Sequence, residues 1–287
     1  MEHKKGLLSE LKRRIKLVLR MKRNRRLTGP EIVEDLRRLG VAAGDILMVH
    51  SSLSSLGFVP GGASTVIDAL LAAVGPEGTL VLPTHSWEIM ERGCRTFDVR
   101  NTPSCVGAMT ERFRKMPGAR RSLHPTHSVA AIGPRAEELI GKHEYALTPC
   151  GAGSPYAKLL LAGGRVLFIG VGLESNTAYH TIEAMASVPY LLMAEPDVFT
   201  VIDEQGHSRR LSIRRHKARI PRCFEGLEGE LIDGGIVRPG LIGKTRSLLL
   251  DGMPFMKEMS AILQQSPDYL LQAGHSPAAS SISPASE

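Results

Sequence analysis

The sequence is poor in the features that mark membrane proteins, disulfide-rich proteins and zinc-ribbon proteins. Its four cysteines (Cys94, Cys105, Cys150 and Cys223) have no CxxC spacing, which favours reduced thiols in a cytoplasmic protein. Ten histidines leave a zinc site open, but none has ligand spacing, so we expect no metal. The apolar runs are much shorter than a membrane span, and no apolar secretory core follows the basic N-terminus.

Aromatic residues make up only 5% of the 287 residues, so a core must consist mainly of aliphatic side chains. The hydrophobic content of 43% is ample for one large or two small domains.

Positive charge is abundant, and it is concentrated at the N-terminus. Residues 1–27 contain five Lys and six Arg against two Glu, a net charge of +9, which leaves −2 for the rest of a chain whose total is +7. Apolar residues at helical spacing predict a basic amphipathic helix here; they are Leu7, Leu8, Leu11, Ile15, Val18 and Leu19. It would lie on an anionic membrane surface, or pack on the body or on a second subunit, which we favour. No aromatic residue interleaves the basic residues, so we expect no nucleic-acid partner.

The remaining sequence alternates between helix and strand signals. Thr28 predicts a helix N-cap and Gly40 the end of that helix. A buried strand at 46–49 precedes a helix at 66–74, capped by Ser64 or Thr65, and then a strand at 79–82, which implies a parallel pair. Further elements are expected at 107–115 (helix), 128–132 (strand), 165–170 (strand), 180 onward (helix), and 199–203 with 208–214 (hairpin).

These elements predict an α/β fold. We expect a three-layer α/β/α arrangement with a mostly parallel central sheet and a small C-terminal β-hairpin/helical subdomain. The predicted division is an arm at 1–27, a domain at 28–272 and a disordered tail at 273–287, which is rich in Ser, Ala and Pro.

The pair His180 and Glu183 is the main candidate for chemistry. It follows a Gly-rich strand end at 167–172, and its spacing of three places both side chains on one helix face. A carboxylate beside an imidazole fixes its orientation and raises its basicity, which a general base requires. A surface ion pair is the alternative.

Other short motifs, taken in order, resemble the aminoglycoside 3-N-acetyltransferase family, which differs from the better-known acetyltransferase fold. The resemblance covers roughly residues 28 to 272. Its motifs lie at residues 44–45, 49–53, 61–63, 75–80, 83–87, 102–104, 118–122, 124–128, 153–156 and 180–183.

The resemblance implies transfer of an acetyl group from acetyl-CoA to an amine, with His180 as general base and Glu183 as its partner. His50, at a strand end, is similar to a second family histidine near the thioester, and it would donate to the oxyanion. A hydrogen-bonded structural histidine is the alternative for His50.

The acyl carrier is expected to be coenzyme A. The residues Gly61, Gly62, Ala63 and Ser64 lead into a helix N-terminus, which favours an anion, although an ordinary turn is equally compatible with them. By similarity to the family, further coenzyme contacts are expected from Ser51, Ser52, Thr84, Ser122, Thr126 and Tyr156.

The amine acceptor is less well specified by the sequence. Aminoglycoside-modifying relatives tend to carry a longer acidic segment after the Pro-Thr-x-Ser-Trp motif, whereas here residues 88–96 are short and Arg92 and Arg95 offset Glu88 and Glu91. An amino sugar or a small amine metabolite is therefore the alternative acceptor. His85 and Asp98 are candidate rim contacts.

Two readings from other classes stay open. One is a catalytically silent coenzyme-binding relative. The other is a serine hydrolase that uses Ser51 or Ser52, although no G-x-S-x-G elbow is present.

Overall fold

The computed structural model describes residues 26–217, 220–224 and 226–271. The predicted amphipathic helix at the N-terminus and the predicted C-terminal tail lie outside these residues, apart from Arg26 and Leu27 at the end of the arm.

The protein has a mixed α/β fold with one large sheet and one small sheet. The strands, in chain order, are β1 (Ile46–Ser51), β2 (Thr79–Pro83), β3 (Thr96–Asp98), β4 (Arg120–Arg121), β5 (Val129–Ile132), β6 (Arg165–Ile169), β7 (Asp197–Ile202), β8 (Ser208–Ile213), β9 (Val237–Ile242) and β10 (Thr245–Asp251).

Within the described residues, the structure contains the four predicted helices and five that were not predicted. They are α1 (Gly29–Leu39), α2 (Ala63–Val74), α3 (Trp87–Glu91), α4 (Ala108–Phe113), α5 (Ala136–Ile140), α6 (Pro155–Leu161), α7 (Tyr179–Met185), α8 (Leu227–Asp233) and α9 (Gly252–Gln265). The predicted ones are α1, α2, α4 and α7. Single 3₁₀ turns lie at Leu53–Leu56, His143–Tyr145, Leu173–Ser175 and Tyr269–Leu271.

The large sheet has the strand order β4-β5-β2-β1-β6-β10-β9. Its centre is parallel, since β1 pairs in parallel with both β2 and β6. The flanking pairs on both sides are antiparallel. The expected parallel arrangement therefore holds for the three central strands, and the sheet as a whole is mixed.

Local signals explain the first two helices. The carboxylate of Glu31 accepts hydrogen bonds from the backbone N–H and the hydroxyl of Thr28, and Gly40 ends α1 in the left-handed region, as predicted. The predicted start of α2 is wrong: its N-cap is Gly62, and neither Ser64 nor Thr65 caps it. The Thr65 hydroxyl instead donates to the carbonyl of Pro60, which closes the preceding turn.

Each face of the large sheet carries its own apolar cluster, because neighbouring residues of a strand point to opposite faces. Leu47 and Val49 of β1 pack with α1 and α2, whereas Met48 packs with α6, α7 and α9. Both faces of β1 are therefore buried under apolar side chains.

The small sheet contains the predicted hairpin and one strand that was not predicted. Strands β7 and β8 are antiparallel, and β3 adds in parallel to β7. Within the described ranges, no helix is both long enough and apolar enough to cross a bilayer.

Candidate active site

A cleft opens at the carboxyl ends of the three parallel strands. Its lining includes His50 and Ser51 at the end of β1, Pro83 and His85 at the end of β2, and Val171 just after β6. The cavity measures about 410 Å³. Ligands of α/β sheets bind at this edge, where several strand ends present side chains to the same space.

A second cavity, of about 770 Å³, adjoins the first. The two share the side chains of Trp87, His127 and His180 in their linings. The other residues of the second cavity are Glu88, Glu91, Arg92, Thr126, Arg215, His216, Lys217, Ile220 and Arg222. His180 therefore stands at the junction of two cavities large enough for separate ligands.

His180 and Glu183 form the predicted pair. Both lie on α7, and His180 Nδ1 is 2.5 Å from Glu183 Oε2. The Glu183 side chain is fully buried, while 22% of the His180 side chain is exposed. A hydrogen bond from Nδ1 to the carboxylate leaves the lone pair of Nε2 on the other side of the ring. The alternative of a surface ion pair is excluded by the burial of Glu183.

Sequence analysis missed a third member of this group, Arg222. Its Nε donates to Glu183 Oε1 at 2.7 Å, and its Nη2 donates to Glu183 Oε2 at 3.0 Å. Burial by itself raises the pKa of the Glu183 carboxyl, but the hydrogen bonds and charges of His180 and Arg222 outweigh this effect and lower it. Glu183 is thus held as a carboxylate. Arg222 follows Glu183 by 39 residues in an irregular segment, so no local pattern connects the two.

His50 is buried near the carboxyl end of β1 and lines the first cavity. Its ring stacks on Phe168, with 5.5 Å between centroids and 10° between planes. Burial lowers the pKa of His50 to about 4, so its imidazole is neutral at physiological pH. Its Nε2 is buried and has no hydrogen-bond partner among the described residues. A structural histidine is normally bonded, so this orphaned atom favours a ligand-binding role.

The glycine loop lies at the start of α2. Gly61 and Gly62 both have positive φ (79° and 60°), a backbone conformation that glycine adopts much more readily than other residues. The Ser64 hydroxyl accepts a hydrogen bond from Arg112, and the Ser52 hydroxyl pairs with that of Ser54. Both serines are half-buried, so their side chains are partly accessible. Ala63 begins the helix and is half-buried.

Three predicted coenzyme contacts are buried. Thr84, Ser122 and Tyr156 are all 1% exposed or less. The hydroxyl of Ser122 bonds His143 Nδ1 at 2.9 Å, and that of Tyr156 lies 2.6 Å from His85 Nε2. Their polar groups have partners inside the protein, and a contact with the coenzyme stays a prediction. Thr126 is also almost fully buried, but it lines the second cavity.

The two predicted rim residues have different outcomes. His85 is on the wall of the cleft, although it is buried and only 6% exposed. Asp98 organises a turn: its carboxylate accepts hydrogen bonds from the backbone of Arg100 and from the backbone and side chain of Asn101. The oxygens of Asp98 already have partners in this turn, and a contact with the acceptor stays a prediction.

Two further histidines in the second cavity were not predicted as site residues. The ring of His216 is 4.7 Å from that of His180 and 4.7 Å from that of His127, measured between centroids. His216 follows β8 and reaches this position through an isolated bridge to Leu192. Only the folded chain brings these rings together, and no sequence spacing indicates it.

A histidine that lines two adjoining cavities, backed by a buried carboxylate at the strand ends of a mixed sheet, is an arrangement found in α/β enzymes. The chain belongs to the aminoglycoside 3-N-acetyltransferase family, whose model matches residues 48–264.

Individual relatives agree with this assignment. Aminoglycoside N(3)-acetyltransferase III of Salmonella sp is 41% identical over 181 residues, a match that covers 56% of this chain and 62% of that protein. The chain thus spans less than two thirds of the length of this relative. Aminoglycoside N(3)-acetyltransferase IX of Micromonospora chalcea is 32% identical over 258 residues, or 79% of this chain and 90% of that protein.

Solved structures of the family share the fold. A mutant of aminoglycoside acetyltransferase AAC(3)-IVa in complex with gentamicin matches with a TM-score of 0.75 and 30% identity, over 87% of this chain and 93% of that chain. AAC-IIIb in a binary complex with CoASH matches with a TM-score of 0.72 and 29% identity, over 84% of this chain and 97% of that chain.

Proposed function

We propose that the protein transfers the acetyl group of acetyl-CoA to an amine of an aminoglycoside or amino sugar. The observation that carries this proposal is the position of His180, which lines both cavities and has the buried Glu183 carboxylate behind it. Two substrates must meet at one base for this reaction, and two adjoining cavities with one shared histidine provide that arrangement.

His180 is the general base in this mechanism. The acceptor reaches the enzyme mainly as an ammonium, which has no lone pair, so a proton must leave before nitrogen attacks the thioester carbon. Nε2 of His180 takes this proton, and Glu183 stabilises the imidazolium through Nδ1. The tetrahedral intermediate then collapses, the C–S bond breaks, and the coenzyme A thiolate leaves and is protonated.

His50 is the donor to the developing oxyanion. Its imidazole is neutral, because burial lowers its pKa to about 4, and its buried Nε2 has no partner among the described residues. An Nε2–H group in this position stabilises the negative charge that appears on the carbonyl oxygen only in the transition state. Ser51, beside it on the wall of the first cavity, contacts the acyl end of the coenzyme.

Coenzyme A occupies the first cavity and extends toward the start of α2. The Gly62 N–H donates to the carbonyl of Val59, so the anion site we propose is formed by the first N–H groups of the helix that starts at Ala63. The N-terminal end of this twelve-residue helix favours the diphosphate or the pantetheine amides. The structural relative AAC-IIIb binds CoASH, which supports the same carrier here. Ser52 is proposed as a further polar contact of the coenzyme. Thr126 lines the second cavity, so it would contact the coenzyme only where the two cavities meet.

The second cavity receives the acceptor. The charged side chains of this cavity also suit an acceptor with few ammonium groups, which is the second candidate. Glu88 and Glu91 are its carboxylates, whereas Arg92, Arg215, Lys217 and Arg222 supply four cations. A polycationic drug is better matched by a surplus of carboxylates. The relatives named above are aminoglycoside acetyltransferases, so aminoglycosides remain the first candidate and small amino sugars the second.

The experiment that tests the proposal is thiol release from acetyl-CoA with a panel of amines, from gentamicin to single amino sugars and uncharged-ring amine metabolites. Turnover with at least one amine is expected. If acetyl-CoA binds but no amine supports turnover, the chain is a catalytically silent relative. If thiol is released equally without any amine, the protein is a hydrolase.

The organisation around this site is also proposed. We place a basic arm at 1–27, the acetyltransferase domain at 28–272 and a disordered tail at 273–287, in a three-layer α/β/α fold with the small sheet as a subdomain. The arm would contact an anionic membrane surface or a second copy in a homodimer, and the enzyme would be cytoplasmic.

A further inference from the structure

Three metal-binding side chains meet beside the catalytic pair. They are His127 in the turn before β5, Cys150 in the loop before α6, and His216 after β8. One ligand atom from each, two imidazole nitrogens and the thiol sulfur, lie within 4.8 Å of one another. The three residues come from distant parts of the chain and show no ligand spacing, so no metal was expected from the sequence.

His216 provides an independent sign that this cluster is built for a ligand. Both of its ring nitrogens are buried, and neither has a hydrogen-bond partner in the part of the chain that the structure describes. Buried polar atoms are nearly always paired, so two orphaned nitrogens on one ring are unusual. The ring lies in the second cavity, with His127 at 4.7 Å between centroids.

The donor set defines the class of ion. Two imidazoles and one thiolate suit Zn²⁺ and related soft or borderline cations, whereas Mg²⁺ and Ca²⁺ require oxygen ligands. In a tetrahedral zinc site the ligand atoms are roughly 3.5 Å apart, so the three side chains must draw together by about 1 Å. His127 and Cys150 lie outside helices and strands and His216 forms an isolated bridge, which permits an adjustment of this size.

We propose that His127, Cys150 and His216 bind Zn²⁺ or a related soft cation, with water or substrate as the fourth ligand. The ion would displace the thiol proton of Cys150 to solvent on binding. It would lie next to His180, whose ring is 4.7 Å from that of His216, at the wall of the second cavity.

The test uses Cd²⁺ as the probe, because a thiolate–Cd²⁺ bond gives an ultraviolet charge-transfer band that imidazole and carboxylate ligands do not give. Titration of the full chain with Cd²⁺ is expected to produce this band up to one equivalent, and an excess of Zn²⁺ is expected to suppress it. The absence of the band in the unmodified protein would overturn the proposal, whatever the variants show.

Two variants and two controls assign the ligands. Cys150→Ala is expected to abolish the band, and His216→Asn to weaken Cd²⁺ binding at least tenfold, with folding checked by circular dichroism. Cys105→Ala and His207→Asn remove half-buried and exposed residues elsewhere and are expected to leave the titration unchanged. A band that survives both Cys150→Ala and His216→Asn, or that disappears in Cys105→Ala, would place the ion elsewhere and contradict the proposal. Because these readouts need no substrate, they are independent of the proposed activity.

Discussion

Arg222 donates two hydrogen bonds to the buried carboxylate of Glu183, at 2.7 and 3.0 Å, and the same carboxylate accepts from His180 at 2.5 Å. A buried carboxylate tends to take up a proton, and a neutral carboxyl would not stabilise an imidazolium. Arg222 therefore keeps Glu183 charged and fixed, and it acts on His180 through Glu183 as a positioning residue.

Replacement of Arg222 tests how far its charge and hydrogen bonds control the ionisation of Glu183. In Arg222→Met the pKa of Glu183 rises, because a cation and two hydrogen bonds are lost while burial remains. Hydrogen bonds to charged groups contribute about 1.5–3 kcal/mol, so we expect kcat to fall roughly 10- to 100-fold. The acidic limb of the pH–rate profile should also move to higher pH.

The matched control is Arg215→Met, which removes a cation from the same cavity that pairs with Asp197 instead of Glu183. Its pH–rate profile should keep the acidic limb of the unmodified enzyme. An equal shift in both variants would mean that general cavity charge, and not the contact with Glu183, sets the profile.

The sequence predicted the local features of the site well, because their signals are local. The spacing of His180 and Glu183 on a helix, the glycine turn at 61–62 before a helix, and the strand end at His50 all follow from neighbouring residues. The central parallel strands followed from the helix between them. These features depend on backbone periodicity and on turn-forming residues, which can be recognised in the sequence itself.

The features that sequence analysis missed depend on contacts between distant segments. Arg222 and His216 reach the site from irregular chain after β8, and no periodicity marks them. The internal partners of Ser122 and Tyr156 were also not predicted, because a polar residue in a family motif does not reveal whether its hydroxyl faces the cleft or a neighbouring side chain.

Arg121 provides a second prediction, about stability. Its guanidinium is buried, stacks on Phe97 and donates to the hydroxyls of Thr84 and Ser128. It also donates to the carbonyls of Thr84, Val99 and Thr102. These contacts connect the small sheet to the large one. None of the ion pairs among the described residues includes Arg121, and burial lowers its pKa to about 9.

In Arg121→Met these acceptors lose their donor, and the free energy of unfolding should fall by about 3 kcal/mol, as measured by urea denaturation. Arg135→Met is the control, since it removes an exposed pair with Glu138 and should cost less than about 1 kcal/mol. Similar losses in the two variants would show that Arg121 does not join the sheets.

A third prediction concerns the stability of the folded protein at acidic pH. Burial lowers the pKa of His50 to about 4 and of His143 to about 3, and it holds those of His85 and His124 well below their usual range. Below pH 6.5 the unfolded chain therefore binds more protons than the folded chain. The stability from these neutral histidines is complete above pH 6.5 and is lost as the pH falls toward 4.

Each of these four groups contributes up to about 1.4 kcal/mol per pH unit inside that window. Urea midpoints measured at pH 7.5, 6.0 and 5.0 should fall steeply. His207→Gln, at an exposed position, should not alter the slope. A flat dependence between pH 7.5 and 5.0 would contradict the buried neutral state of these histidines.

The fourth prediction tests the coenzyme position. Gly62→Asp places a carboxylate at the start of α2, where the proposed anion binds, and should weaken acetyl-CoA binding at least tenfold in calorimetry. Gly62→Ala imposes the same strain at φ 60° without the charge, and apart from the two chain neighbours no atom of the described residues lies within 4 Å of the new Cβ. Equal affinities in the two variants would remove the coenzyme from this helix end.

The central claim is that His180 is the general base, and the most direct measurement is kcat of His180→Ala at saturating acetyl-CoA with the amine that proves active. General-base catalysis contributes about two to four powers of ten, so kcat should fall by that factor while calorimetry still detects acetyl-CoA binding. Glu183→Gln should cost less and shift the pH–rate profile. A near-normal kcat in a folded His180→Ala protein would contradict the account and move the base elsewhere, with His50 as the first alternative.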